Sequence, residues 1–146
     1  MANVTSLQIL EDGPRYTVVK FEGILDSADL SSTTVLDPAA QSPMDTAFGT
    51  LASKYRIDHI IHNIEDGLAV NLYWDASTPI RIEELTGRGK QNHSFYGGLK
   101  NNAGTYASTG IFTPAAGFTG KITAITQGWS AGAVLSFSLI LTCVKQ

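Results

Sequence analysis

Cysteine is almost missing from this chain: its 146 residues hold one, Cys143. An internal disulfide framework is therefore excluded, and stability must come from a packed core. Cys143 lies in an apolar run, where a thiol acts as a small buried hydrophobe. No His, Lys or Arg stands in the twenty residues before it to activate it. Charge is scarce as well, at 16% of residues with a net of -3, which excludes general binding to DNA or RNA. Acidic residues vanish after Glu84: all thirteen lie between Glu11 and Glu84, against five bases, a sum of -8. From Leu85 onward there are five bases and no acid, a sum of +5. Such asymmetry marks either a contact with an acidic partner or another copy's acidic half, or a sandwich whose interleaved strands mix the charges.

Long apolar runs are missing too. "GAVLSFSLILTCV" comes closest, but two serines and a threonine interrupt it, and it falls short of the roughly 18 residues of a membrane-spanning helix. The opening "MANVTSLQIL" lacks the basic region and long apolar centre of a signal peptide. The expectation is a chain made without a leader and kept off the membrane. No internal repeat and no Pro/Ser linker divides it, so one domain is expected over 1–146.

What the chain does have is alternation. Hydrophobic residues make up 43%, and many stand at every second position, the period of a strand with one face buried. "SLQIL" and "RYTVVKFEGIL" read as strands joined by the turn "EDGP", with Thr17, Val19, Phe21 and Gly23 on one face. "TTVLD" reads as a short strand in a long loop, and Ser42-Pro43 as the cap of one short helix. "LAVNLYWD" puts Leu68, Val70, Leu72 and Trp74 on one face and Asn71, Tyr73 and Asp75 on the other. "TPIRIEEL" alternates likewise. "TGRGKQNHSFYGGLKNNAGTYASTG" reads as loop with short strands at "SFYG" and, just after, "GIFT". "TGKITAITQGW" and "GAVLSFSLILTCV" are expected to close the chain as a hairpin, with Leu135, Phe137, Leu139, Leu141 and Cys143 on one face. The expected fold class is all-β, an antiparallel β-sandwich or jelly roll of eight to ten strands with at most one short helix.

"YRIDHIIHNIEDG" is the ambiguous stretch. Ile57, Ile60, Ile61 and Ile64 follow the helical spacing i, i+3, i+4, i+7. Four isoleucines and a following Glu-Asp-Gly turn favour a strand leading into a hairpin instead. On a strand His59 and His62 point to opposite faces and cannot share a metal ion, with His62 beside Ile60 and Ile64 and His59 beside Ile57 and Ile61.

Other chemistry fails on spacing. "GRGKQN" lacks the gap and the Ser or Thr of a phosphate loop, and Asn92 stands where a dinucleotide motif needs its third glycine. His93 and Ser94 are adjacent and point apart, as do Glu83 and Glu84. Asp26 and Asp29 lack the glycine and glutamate of a calcium loop. One cysteine and three scattered histidines make no metal motif. No catalytic, cofactor or metal residue is expected, and no enzyme.

The order "VKFEGILDSAD", "TTVLDP", "YRIDHIIHNIEDGLAVNLYWDAS", "ELTGRGKQNHSFYGGLKNNA", "TGKITAITQGWSAGAVLSFSLILTCVK" resembles small structural proteins of tailed-bacteriophage virions, from about Val19 onward. The resemblance implies a jelly-roll capsid decoration or cement protein, often a homotrimer. It would lie on the outer capsid surface and be made in the host cytoplasm, with the major capsid protein and its own copies as partners. It brings no active-site residues. The expected contact is the loop carrying Arg88, Lys90, Phe95, Tyr96, Leu99 and Lys100, where charge steering meets aromatic anchors. Two other readings stay open: a carbohydrate-binding module, which needs Tyr73, Tyr96 and Trp129 on one exposed face, and a tail or baseplate connector.

Overall fold

The apolar rows read above need something to bury them, and two facing sheets supply it. The structure, a computed structural model, describes residues 2–41 and 51–146. Its strands are β1 (Val4–Asp12), β2 (Tyr16–Leu25), β3 (Thr33–Leu36), β4 (Tyr55–Ile64), β5 (Ala69–Trp74), β6 (Ile80–Leu85), β7 (Arg88–Asn92), β8 (Leu99–Lys100), β9 (Gly104–Tyr106), β10 (Phe112–Pro114), β11 (Ile122–Gln127) and β12 (Leu135–Lys145). Short 3-10 turns cover Pro38–Ala40 and Ser94–Tyr96. The short helix expected at Ser42-Pro43 falls outside the described residues.

One sheet runs β1-β2-β12-β4-β7, with β8 also beside β4; the other runs β3-β11-β5-β6. Every pairing is antiparallel: β2 with β12, β3 with β11, β4 with β7, β5 with β6. Early strands thus pair with late ones in nested order, as in one long hairpin rolled up so that its successive pairs fall alternately in two sheets. This is the jelly roll. Twelve strands are described, above the eight to ten expected. The surplus is β7 and the short β8 and β9, all in the stretch read from sequence as loop, while the strand expected at "SFYG" is a 3-10 turn.

The interior is one cluster fed by both sheets. Val19, Phe21 and Leu25 of β2, Phe137, Leu139, Leu141 and Cys143 of β12, and Ile57, Ile60 and Ile64 of β4 face Val35, Leu36, Val70, Leu72, Trp74, Leu85, Ile122 and Ala124. Phe137 lies over Gly23, where a Cβ would stand 2.8 Å from the ring. It meets Phe21 at 5.5 Å between centroids.

Two expected hairpins are not hairpins. β4 and β5 lie in different sheets, as do β11 and β12. Each pair has an apolar row on both members. Folding across the core lets both rows face each other, whereas edge-to-edge pairing would leave them side by side on one face. The turn at Glu65–Leu68, closed by Leu68 N–H donating to the Glu65 carbonyl at 3.2 Å, is therefore an arch between sheets.

The helical spacing in β4 has a local cause. Thr142 pairs with His59 and Cys143 with Ile57, so Asp58 is an extra residue, a β-bulge. Ile57 lies inward before the bulge; Ile60, His62 and Ile64 lie inward after it, while Ile61 is exposed. The strand assignment holds, and His59 and His62 lie on opposite faces. Ile57 and His59 do not share a face as expected, because the bulge shifts the alternation by one.

Candidate functional site

β7 has no apolar row. Arg88, Lys90 and Asn92 are exposed, and Gly89 and Gln91 alternate with them. Read as loop from sequence, it is the edge strand beside β4, with Lys90 opposite Ile61. A Cβ on Gly89 would stand 3.1 Å from His62 Nε2, so glycine lets the edge close over the imidazole. His62 Nδ1–H donates to the Gly87 carbonyl at 3.1 Å. That bond accounts for a buried histidine without a metal.

After β7 the chain turns sharply where a strand was expected at "SFYG". Asn92 Oδ1 accepts from the Ser94 amide at 3.0 Å, and His93 N–H donates to the Asp58 carbonyl at 2.7 Å. Tyr96 N–H and Gly98 N–H both donate to the His93 carbonyl, at 3.1 and 2.9 Å. Gly97 and Gly98 take φ of 80° and 82°, values only glycine adopts without strain. The bulge at Asp58 thus anchors the turn, and Asp58 itself is held by Arg56 Nε at 3.0 Å. This ordered turn displays Phe95 and Tyr96 at 82% and 85% exposure.

Of the six expected contact residues, five are exposed: Arg88, Lys90, Phe95, Tyr96 and Lys100. Leu99 departs from the expectation. It pairs with Ile57 and packs against the core, because alternation along β8 turns it inward and Lys100 outward.

The groups that could do chemistry lie apart. His59 is on the outer face of its sheet, His62 is buried, and His93 Nε2 bonds Gln91 Oε1 at 3.0 Å. Ser94 Oγ donates to Asn92, away from His93. Among the described residues no three His, Cys, Asp or Glu side chains gather as a metal site. Asp29 caps a loop, its Oδ1 accepting from Trp129 N–H at 3.0 Å, and Glu84 pairs with Arg81 at 3.4 Å. Burial pushes the Cys143 thiol up from its ordinary range, with the Asp58 charge adding to it. Burial likewise raises the Tyr55 phenol, helped by Cys143, Asp12 and Asp37. Neither group is activated.

The rings that a glycan platform would need are dispersed. Tyr73 lies on the outer face of the second sheet, opposite Trp74, which is core. Tyr96 shares a shallow depression with Trp74 and Arg81 at one end of β5. Trp129 follows Gln127, which pairs with Ala69 at the other end; its Nε1–H donates to the Ala133 carbonyl at 2.9 Å. A larger open groove of about 850 Å³ crosses the outer face of the first sheet past Glu22, Ile24, Asn63, Glu65, Arg88 and Ser136, and no aromatic side chain but Phe137 borders it. No family model, curated protein or solved structure matches the chain.

Proposed function

We propose that this protein is a non-enzymatic virion component that decorates or cements an icosahedral phage shell. It would bind the major capsid protein on the outer surface, across joints between capsomers. The observation that carries this reading is the Phe95-Tyr96 pair, held out on a hydrogen-bonded turn, with Lys100 beside the same depression as Tyr96 and the exposed Arg88 and Lys90 on the strand that leads into the turn. Adjacent exposed rings suit an interface anchor, and an ordered support lowers the cost of docking. The dispersed histidines and the unactivated thiol support a role in contact over one in catalysis. Neither nucleic acid nor membrane is a partner in this reading.

A ligand that binds only the assembled shell stabilises that shell by linkage. Shells stripped of this protein should therefore lose resistance to heat or osmotic shock and regain it when the protein is added back. Phe95→Ala/Tyr96→Ala protein should fail to restore it. Equal resistance of stripped and decorated shells would reject cementing.

A further inference from the structure

The least protected part of the molecule is β1. Among the described residues it pairs only with β2. Sheet edges are ordinarily guarded by shortness, charge or proline. The other edges follow that rule: β3 has 4 residues, β7 has 5 with Arg88 and Lys90, and β6 carries Arg81, Glu83 and Glu84. β1 runs for 9 residues, and Val4 through Leu10 carry no charge. Val4 is 63% exposed, Leu7 46%, Ile9 47% and Leu10 47%. Leu7 and Ile9 pair with Phe21 and Val19, so they continue the inner apolar row past the last strand that the second sheet covers.

This edge is also fixed at both ends. At its start Asn3 Oδ1 accepts from the amides of Asp26 and Ser27 at 2.9 and 3.1 Å, and its Nδ2 donates to the Ala28 carbonyl at 2.9 Å. At its end Asp12 accepts from the buried Lys145 ammonium at 2.6 Å. A strand clamped at both termini, with a bare apolar middle, is preorganised to take another strand.

We propose that β1 is a self-pairing edge: it joins β1 of a second copy antiparallel about a twofold axis, making one sheet continuous through two molecules. The charge pattern selects this occupant. Centred near Leu7, antiparallel pairing sets Thr5 against Ile9 and Ser6 against Gln8, within the regular part of β1 and short of the bulge at Leu10. Glu11 and Asp12 then fall beyond the bulge, at the two far ends, toward the uncharged Ala2 and Asn3 of the second copy. Parallel pairing would stack Glu11 and Asp12 on their own counterparts. A twofold axis normal to the sheet keeps each face on its own side, so Leu7 and Ile9 from both copies merge into one apolar strip. This assembly is twofold, unlike the homotrimer that the phage resemblance implies, and it does not depend on binding to a shell.

Sedimentation of the full chain over a range of concentrations, with amide hydrogen exchange, tests it. The expected result is a particle of twice 15.6 kDa whose β1 amides exchange more slowly as it forms. Leu7→Lys should weaken association at least tenfold and Ile9→Lys similarly. Ile24→Lys, exposed on the neighbouring strand but away from the edge, should leave it intact. If Leu7→Lys misfolds, Leu7→Thr carries the test with a smaller shift in the same direction. A monomer at all concentrations, a trimer, a dimer untouched by Leu7 and Ile9 variants, or a dimer broken only by Ile24→Lys would each overturn the proposal.

Discussion

Lys145 and Asp12 bring opposite ends of the chain together in one ion pair of 2.6 Å, with the ammonium fully buried. Removing one partner of such a pair weakens the hold on a buried charge. Asp12→Asn should therefore cost about 1–3 kcal/mol, a moderate loss because Asp12 is partly exposed and the amide can still accept a hydrogen bond. Urea unfolding would read it, and a loss under about 0.5 kcal/mol would show that this pair adds little to stability. Cys143 and Tyr55 set the alkaline limit. Both are raised by burial, so above the ordinary thiol value of about 8.5 the unfolded chain releases a proton that the folded chain keeps. The contribution of these two groups should be level below that pH and fall above it, more steeply beyond about 10 as Tyr55 joins. Cys143→Ala should remove the first part of the fall, and an unchanged profile would contradict the assignment. Gly23 was legible from sequence as an inward position but not as a contact. Gly23→Ala forces Phe137 to move and should cost about 1–3 kcal/mol.

At the scale of the element, alternation predicted strands wherever apolar residues mark the buried row. β2, β5 and β12 follow it, with Val19-Phe21, Leu72-Trp74 and Phe137-Leu139-Leu141 all inside. It missed β7, whose inward positions are Gly89 and Gln91, because an edge strand closing over a histidine has no apolar signature. It was misled at "SFYG", where side chains suggest a strand but Asn92 and two glycines impose a turn. Bulges account for much of the irregularity: the pairing shifts at Asp58, at Val35 and at Ile82, and each lets neighbouring residues break the alternation. Which strands pair was not legible, since alternation names a face and not a neighbour. For the displayed turn, the expected contact residues were readable by type, but the inward Leu99 required the register of β8 on β4. Phe95→Ala/Tyr96→Ala should change stability by no more than about 0.5 kcal/mol, because neither ring is buried. Binding to shells should fall at least tenfold. A large stability loss would mean that the rings support the fold and are not free for a partner.

At the scale of the whole molecule, nested pairing settles the charge asymmetry. β12 lies between β2 and β4, and β11 between β3 and β5, so strands from the basic half alternate with strands from the acidic half. Asp12–Lys145 and Asp37–Lys121 tie the two halves directly. Among the described residues, the acidic and basic halves of the sequence are therefore interleaved within both sheets. The same nesting makes β2 wait for β12, more than a hundred residues later. Folding should accordingly fall in the slow, millisecond-to-second range of topologies built on distant contacts.

What results is a stiff sandwich with its reactive groups buried or separated and its distinctive features on the outside: a displayed aromatic pair and a bare clamped edge. The role proposed for this surface is to bind a virion shell. Electron microscopy of the intact particle carrying this chain is the decisive measurement. Jelly-roll density is expected on the outside of the head, over joints between capsomers, with Phe95 and Tyr96 against the major capsid protein. Density confined to the tail, or a particle that lacks the protein altogether, would contradict it.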